Sequence, residues 1–140
     1  MSEKYKILSN FVKDMSSETP DVESYLSTKN NINKYELDID ISSKPLKNKL
    51  IEVNTSLKFQ NKTQADKKSY FEIVYASIVQ IEESIKEKKD LQKIILCDIQ
   101  NDIYPKLEKI LLNLLIDSGY SNVKFDKKVD FNKLFNDKFN

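Results

Sequence analysis

The stretch DIYPKLEKILLNLLIDSG, residues 102–119, is the most apolar part of the chain, and the rest of the sequence is arranged around it. Pro105 is expected in the first turn of a helix, where its missing N–H costs no hydrogen bond, with Asn101 or Asp102 as the N-cap. Gly119, the single glycine, is expected just past the last turn in a left-handed conformation. The apolar side chains recur at the spacing of one helix face, and these are Leu107, Ile110, Leu111, Leu114 and Leu115.

Two more residues widen the apolar surface of this helix. Leu112 and Ile116 lie beside the main stripe, so the surface is broader than one sheet face needs. One interpretation is an ordinary core helix. The other is a helix buried on two sides, by its own sheet and by another subunit, with Leu112 and Ile116 at the oligomer interface.

Composition restricts the classes of function. The chain has 140 residues, and we expect a single domain over 1–140. Its formal net charge of +1 creates no field that attracts nucleic acid or an anionic membrane. No apolar run approaches the roughly 20 residues that cross a bilayer, and the N-terminus lacks the apolar core of a signal peptide. The expected location is therefore cytoplasmic, without membrane insertion.

Residue types that enzymes commonly use are scarce. The sequence has no histidine, the most frequent general base and metal ligand. A lone cysteine, Cys97, excludes an intrachain disulfide and a cysteine zinc cluster, and its apolar helical surroundings predict a buried structural thiol. A single glycine excludes a phosphate loop. We therefore expect a binding protein rather than an enzyme, without catalytic residues, metal or cofactor.

The first half of the chain predicts strands. Residues 34–41 and 49–59 alternate between apolar and polar side chains, as strands with one wet face do, and 42–48 is the turn between them. Residues 5–15 predict an earlier strand. The polar segment 16–33, which contains a proline, predicts a surface loop, with Val22, Tyr25 and Leu26 as candidates for a short helical turn that fixes it.

The fourth predicted strand, residues 70–81, is apolar on both faces. Such a strand is covered on both faces or offers one of them to a partner. One face carries Phe71, Ile73, Tyr75 and Val79, and the other carries Glu72, Val74, Ala76 and Ile78.

The period then becomes helical. A first amphipathic helix is predicted over about 88–100, followed by the helix at 102–119 and by a short helix that Asp130 caps. The order of elements predicts an α+β fold, a four-stranded antiparallel sheet in meander or Greek-key order, packed by a long helix and a short C-terminal helix. The short helix carries Phe131, Leu134, Phe135 and Phe139.

Five strings in register over nearly the whole chain resemble SecB, the family of tetrameric bacterial export chaperones. The resemblance implies a dimer of dimers that holds unfolded precursor proteins without ATP and passes them to the SecA motor. The strings are FVKDMSSETP at 11–20, YELDIDISS at 35–43, FEIVYASIVQI at 71–81, YPKLEKILLNLLIDSGY at 104–120 and VDFNKLF at 129–135.

The resemblance also implies roles for single residues. Asp14, Glu18 and Glu72 match the acidic residues through which the family meets SecA. Tyr70 matches an apolar neighbour in the same patch. Fourth-strand positions that pack at the family's subunit contacts are matched by Phe71, Ile73 and Tyr75.

Three departures separate this chain from the usual family pattern. The family is strongly acidic, whereas this chain is near neutral, and the family's flexible C-terminal tail is missing after Asn140. The Arg-Glu pair usual in the long helix is replaced around Glu108 and Lys109. These differences weaken the prediction of SecA handover more than that of client holding, so a SecB-like chaperone that protects an antitoxin stays an alternative.

A holdase needs exposed apolar surface that accepts many sequences, such as a strand edge beside an apolar groove. Plain core packing is the alternative for each candidate. A nucleic-acid-binding α+β module, with tyrosines and lysines on a sheet, is the competing class, but near-zero net charge and acidic residues on the outer strand face oppose it. The groove candidates are Tyr35, Leu37 and Ile39 on the second strand and Phe131, Leu134 and Phe135 on the last helix.

Overall fold

Four antiparallel strands form a single sheet in the computed structural model, which describes residues 4–62, 68–125 and 128–139. The sheet order is β1-β4-β3-β2. The consecutive strands β2, β3 and β4 therefore lie side by side, and β1 pairs with the free edge of β4. This is the Greek-key order, one of the two topologies that the sequence predicted. The strands are β1 (Tyr5–Glu18), β2 (Glu36–Pro45), β3 (Leu50–Gln60) and β4 (Tyr70–Ile81).

The helices confirm the α+β class and its long helix. Short 3₁₀ turns at Ile32–Lys34 and Lys47–Lys49 precede β2 and β3. The π-helical turn Ile94–Asp98 joins α2 to α3 without a break in helical backbone angles, so 88–117 is one long helix. The helices are α1 (Val22–Asn30), α2 (Lys88–Lys93), α3 (Ile99–Asp117) and α4 (Phe131–Phe139).

The prediction of two separate helices with Pro105 in a first turn is wrong. Pro105 lies inside α3, and Asn101 and Asp102 are helical residues rather than caps. Proline removes the N–H that would bond to the carbonyl of Asn101. Asn101 and Pro105 are both exposed, so water can reach that carbonyl. The apolar side chains before the proline are packed on the sheet, and this packing keeps the chain helical through it.

The predicted surface loop at 16–33 is also wrong. β1 continues to Glu18 because its ladder with β4 extends as far as Tyr70. Most of the remainder is α1, whose first turn is capped by Asp21, with a carboxylate oxygen 2.7 Å from the Ser24 backbone nitrogen. Part of the predicted turn at 42–48 is likewise strand, because β2 pairs with β3 as far as Pro45.

The core lies between one face of the sheet and the long helix. Alternate residues of β3 and β4 point toward the helix and are buried, whereas their neighbours point to the opposite, open face of the sheet. The helix contributes residues spaced by three or four positions. The fully buried side chains include Val53, Leu57, Phe71, Ile73, Val79, Ile99, Leu107, Leu111 and Leu115.

A buried polar pair sits in the middle of this core and was not predicted from the sequence. The hydroxyl of Thr55 on β3 donates to Gln100 Oε1 over 2.9 Å, and Gln100 Nε2 donates to the carbonyl of Ile95 over 3.1 Å. The π turn widens the helical hydrogen-bond ladder at Ile95. Gln100 therefore supplies a partner to that carbonyl and ties the helix to the sheet.

The end of the long helix confirms the role predicted for Gly119, which has φ +102°. Its N–H donates to the carbonyl of Ile116 over 3.0 Å, and the N–H of Tyr120 donates to that of Leu115 over 2.8 Å. These two bonds define a Schellman motif. A Cβ at this position would lie 2.7 Å from Cε1 of Tyr25, so only glycine fits here.

We expect Gly119→Ala to lower the free energy of unfolding by about 1–3 kcal/mol, because a strained φ and a clash with Tyr25 act together. Urea unfolding at fixed protein concentration measures the change. Asn113→Ala, on the exposed side of α3, is the matched control and should change stability by less than about 0.5 kcal/mol. Equal stability of the glycine variant and the control would contradict this account of the helix end.

Candidate functional site

Four predicted residues meet at one corner of the sheet and form an acidic patch, defined here as Asp14, Glu18, Tyr70 and Glu72. In the β1–β4 ladder Glu18 lies opposite Tyr70, and Ser16 lies opposite Glu72. Directly opposite residues share a face, and alternate residues of one strand do too. All four members of the patch therefore lie on the open face, away from the helices.

The charges of the patch act on its tyrosine. The Tyr70 hydroxyl donates to the carboxylate of Glu72. Partial burial, the bond to Glu72 and the negative charges of Glu72, Glu18 and Asp14 together raise the pKa of Tyr70 to about 12. Lys58 of β3 lies opposite Glu72 and is the basic residue next to the patch in the register. Three carboxylates around one phenol repel each other, so this surface suits a basic partner.

A second surface follows β2, at the other edge of the sheet. Leu37, Ile39 and Ile41 point toward the helix layer but are only half-buried. Their opposite residues on β3 are fully buried. The helix layer therefore stops short of the edge and leaves a groove along β2, in which Asn33, Asn122 and Lys124 accompany the apolar side chains.

This β2 groove consists of two open cavities that contain all six predicted client-binding residues. The larger, about 360 Å³, includes Tyr35 and Leu37, and the smaller, about 230 Å³, includes Ile39. Other lining residues were missed as groove residues, although the aromatic Phe125 in the connector was visible in the sequence. The apolar lining residues are Ile32, Tyr35, Leu37, Phe59, Val123 and Phe125 in the larger cavity and Ile39, Ile41, Leu96, Phe131, Leu134 and Phe135 in the smaller one.

The six residues divide between the floor of the groove and its surface. Tyr35 belongs to the floor, since it is buried and its hydroxyl donates to the Ser69 carbonyl over 2.7 Å. Burial raises the pKa of this tyrosine. Phe131 and Phe135 are also buried, whereas Leu134 is 50% exposed. The aromatic candidates are therefore packed in the core, which was the alternative interpretation from the sequence. The aliphatic candidates line an accessible groove surface.

Local contacts hold α4 against the groove. The Asp130 carboxylate caps it, accepting from the backbone nitrogen of Lys133 over 3.0 Å, as predicted. The Cys97 thiol donates to the carbonyl of Phe131 over 3.3 Å, and burial raises the pKa of this thiol. The ring of Phe131 packs edge-on against Tyr104 with centroids 5.3 Å apart. Cys97 is thus the buried structural thiol that the sequence predicted.

The structure places the predicted interface residues in two different environments. Phe71, Ile73 and Tyr75 are fully covered by their own subunit, so their side chains have no surface for a second copy. The strand pattern identified a buried face, but the cover is the long helix rather than a partner. On α3, Leu112 is half-buried and Ile116 is 52% exposed.

Four of the eight large apolar side chains that are exposed in the described residues lie on the edge strand β1. Leu8, Phe11, Val12 and Met15 are each between 40% and 50% exposed. Val12 and Met15 lie opposite Tyr75 and Ile73 and so share the helix-facing side, yet the helix does not cover them. The sequence placed these residues on a strand without indicating that they stay exposed.

Residues 4–62, 68–125 and 128–139 contain no cluster of three or more metal-ligating side chains. No helix within the described ranges has the length and apolarity that crossing a bilayer requires.

Comparisons with known proteins agree with this fold. The family model "Preprotein translocase subunit SecB" matches residues 1–140. The chain is 54% identical to a putative protein-export protein SecB of Pelagibacter ubique over the full length of both. Among solved structures, it resembles a Mycobacterium tuberculosis SecB-like chaperone in complex with a ChAD peptide from the HigA1 antitoxin, with a TM-score of 0.64 at 9% identity over 89% of this chain and 91% of that one. At that identity the likeness supports the fold alone.

Proposed function

The chain belongs to the SecB family of protein-export chaperones, and we propose that it is a cytoplasmic, ATP-independent holdase that delivers unfolded precursor proteins to the SecA motor. The β2 groove carries this proposal. It combines a strand edge with half-buried aliphatic side chains on β2, the exposed Leu134 and a buried aromatic floor, a surface suited to extended chains of many sequences.

The acidic patch supports the handover to SecA. It lies on the open face at the β1–β4 end of the sheet, whereas the groove follows β2 on the helix-facing side. A client in the groove would therefore leave the patch accessible to a basic surface of SecA. Charge complementarity of this kind acts mainly on the association rate and weakens with salt.

We further propose a homotetramer built from two dimers. The exposed apolar side chains of β1 lie on an unpaired sheet edge, which a second copy of β1 would cover. Leu112 and Ile116 on α3 offer a second apolar surface, through which two such dimers would pack. In this proposal the subunit interfaces consist of side chains that the single subunit leaves uncovered, rather than of the buried β4 residues predicted from the sequence.

A chaperone dedicated to an antitoxin is the second candidate. The M. tuberculosis structure is such a complex on the same fold, but its low identity to this chain assigns no client. Both candidates share the groove and differ in whether SecA is a partner. The nucleic-acid module is disfavoured, because the open face of β2 carries Glu36, Asp38 and Asp40.

Client holding is tested by aggregation of an unfolded, slow-folding protein. We expect the wild type to suppress light scattering equally with and without ATP. Leu134→Glu should raise the chaperone concentration that halves client light scattering at least severalfold, because it places a charge in the groove. Leu26→Glu is the matched control, since Leu26 is 52% exposed on α1, and it should behave like wild type. Unchanged aggregation at tenfold excess of wild type would refute the chaperone proposal.

The SecA contact is tested with Asp14→Asn combined with Glu72→Gln. We expect the double variant to keep its fold and client holding but to bind the cognate SecA at least severalfold more weakly, with wild-type affinity falling as salt rises. Glu36→Gln with Asp40→Asn removes the same charge from the other sheet edge and should leave SecA binding intact. Equal SecA binding by both double variants would contradict the assignment of the acidic patch as the SecA-binding surface. A wild type that holds clients but does not bind SecA favours the antitoxin-chaperone alternative.

A further inference from the structure

Charge is distributed unevenly along the open face of β1. Near its start this face carries Lys6, which is exposed and has no ion pair within the described ranges. Near its end the same face carries Asp14 and Glu18, two of the three carboxylates of the acidic patch. The other lysine of the strand, Lys13, lies at a bulge and is bound to Glu52 of β3 at 2.7 Å. Lys6 is therefore the lysine of β1 that is available to another chain.

Within one chain Lys6 is too far from the acidic patch to act on it. Lys6 lies opposite Gln80 of β4, whereas Glu72 of the patch is eight residues earlier on the same strand. At the rise of a β-strand this separation is about 26 Å. Salt screens exposed charges over about 10 Å at 0.1 M ionic strength, so the ammonium and the carboxylates of one chain scarcely interact.

Antiparallel pairing of β1 with a second copy would bring these charges together. The exposed apolar side chains of β1 mark the part of the edge that a second copy would cover, and the middle of this group lies at Phe11 and Val12. A symmetric dimer uses the same surface of both chains, so its two-fold axis passes near these two residues. The start of each β1 strand then lies beside the end of the other.

The position of Lys6 in such a dimer depends little on the exact register. A two-fold axis at Phe11 sets Lys6 of the partner subunit opposite Ser16. Asp14 and Glu18 flank Ser16 on the open face, so the partner's ammonium lies diagonal to both carboxylates. Moving the axis by one position of the ladder in either direction sets it directly opposite Glu18 or Asp14 instead. In all three registers it lies beside the acidic patch.

We propose that the partner subunit's Lys6 completes the acidic patch, so that the SecA site is built by both chains of a dimer. Lys58 borders the patch on the β3 side, and the partner's Lys6 borders it on the β1 side. The added ammonium offsets part of the repulsion among the three carboxylates and so strengthens the dimer. It also lowers the negative charge of the patch and thereby limits its affinity for a basic partner. The proposal rests on the β1 dimer and the SecA contact proposed above, and it adds a residue to that contact.

Cysteine cross-linking tests where Lys6 lies. Inside one chain the paired positions are about 20 Å apart or more, so a disulfide between them joins two chains. We expect one of three pairs to link at least tenfold faster than the control. Lys6→Cys with Glu36→Cys, in the acidic row on the open face of β2, is the matched control, and the native Cys97 is buried. Equal rates for control and all pairs would overturn the proposal. The three pairs combine Lys6→Cys with Asp14→Cys, Ser16→Cys or Glu18→Cys.

A charge swap tests the attraction itself. Lys6→Glu sets like charges across the dimer seam, and we expect it to raise the dissociation constant of the dimer about threefold or more at low salt. Adding Glu18→Lys to the same chain restores opposite charges at both symmetric sites and should return the constant to within about twofold of wild type. Lys89→Glu, in the exposed first turn of α2, makes the same charge change as a control and should leave association unchanged. Failure of the second substitution to restore association would overturn the pairing.

The effect on SecA binding is tested with Lys6→Gln, at a protein concentration where light scattering shows an intact assembly. Loss of the ammonium makes the patch more negative, so we expect SecA to bind about two- to fivefold more tightly at low salt. This change is opposite in sign to that expected for Asp14→Asn with Glu72→Gln. Lys89→Gln is the matched control and should bind SecA like wild type. Weaker or unchanged SecA binding by Lys6→Gln would overturn the role proposed for this lysine.

The outcomes separate this inference from the function on which it rests. Cross-linking and the charge swap require no SecA. A wild type that passes both tests but does not bind SecA refutes the handover and leaves the two-chain patch standing. Subunits that assemble and bind SecA without a link between their β1 strands refute the two-chain patch and leave the handover standing.

Discussion

The structure depends on one mismatch of widths, between a four-stranded sheet and the single long helix that covers it. Four strands about 4.8 Å apart make a surface wider than one helix, whose diameter with side chains is about 10–12 Å. The helix therefore buries most of the side chains that β3 and β4, the two central strands, turn toward it. The edge strands are left partly uncovered, as the exposure of Val12 and Met15 on β1 and of Leu37 and Ile39 on β2 shows.

Because the helix covers the sheet incompletely, each edge strand has the properties of a binding surface. The two edges differ in backbone regularity and in the side chains they expose. β1 is bulged and carries apolar side chains near the acidic patch. β2 is regular, with a groove on one face and an acidic row on the other. In the proposed account β1 meets a second copy, β2 meets a client, and the open face of the β1–β4 corner meets SecA. The core stays closed throughout, which lets a stable subunit offer adaptable surfaces.

Periodicity in the sequence was sufficient to predict whether each long element is a helix or a strand. It did not predict which elements contact each other. The period of three to four residues identified the long helix, and Gly119 and Asp130 marked a helix end and a helix start because their local chemistry is decisive. Pro105 misled because tertiary packing keeps the helix intact through it. α1 was predicted only as a short helical turn because its stabilising contacts are non-local, such as Tyr25 against Tyr120 with ring centroids 5.2 Å apart. Alternation in β4 showed that a face is buried but could not identify what covers it, and the family resemblance assigned Phe71, Ile73 and Tyr75 to a subunit interface. The acidic patch was predictable only from family resemblance, since its members depend on strand register.

Amide hydrogen exchange of the assembled protein, measured strand by strand with and without a saturating unfolded client, tests most directly whether the two edges have separate roles. The account predicts that β1 is protected before the client is added and loses that protection when the protein is diluted to monomers. It predicts that amides on the outer edge of β2 exchange fast in the free protein and become protected only with the client. Client-induced protection on β1 instead, or protection of the β2 edge already present without a client, would contradict the account.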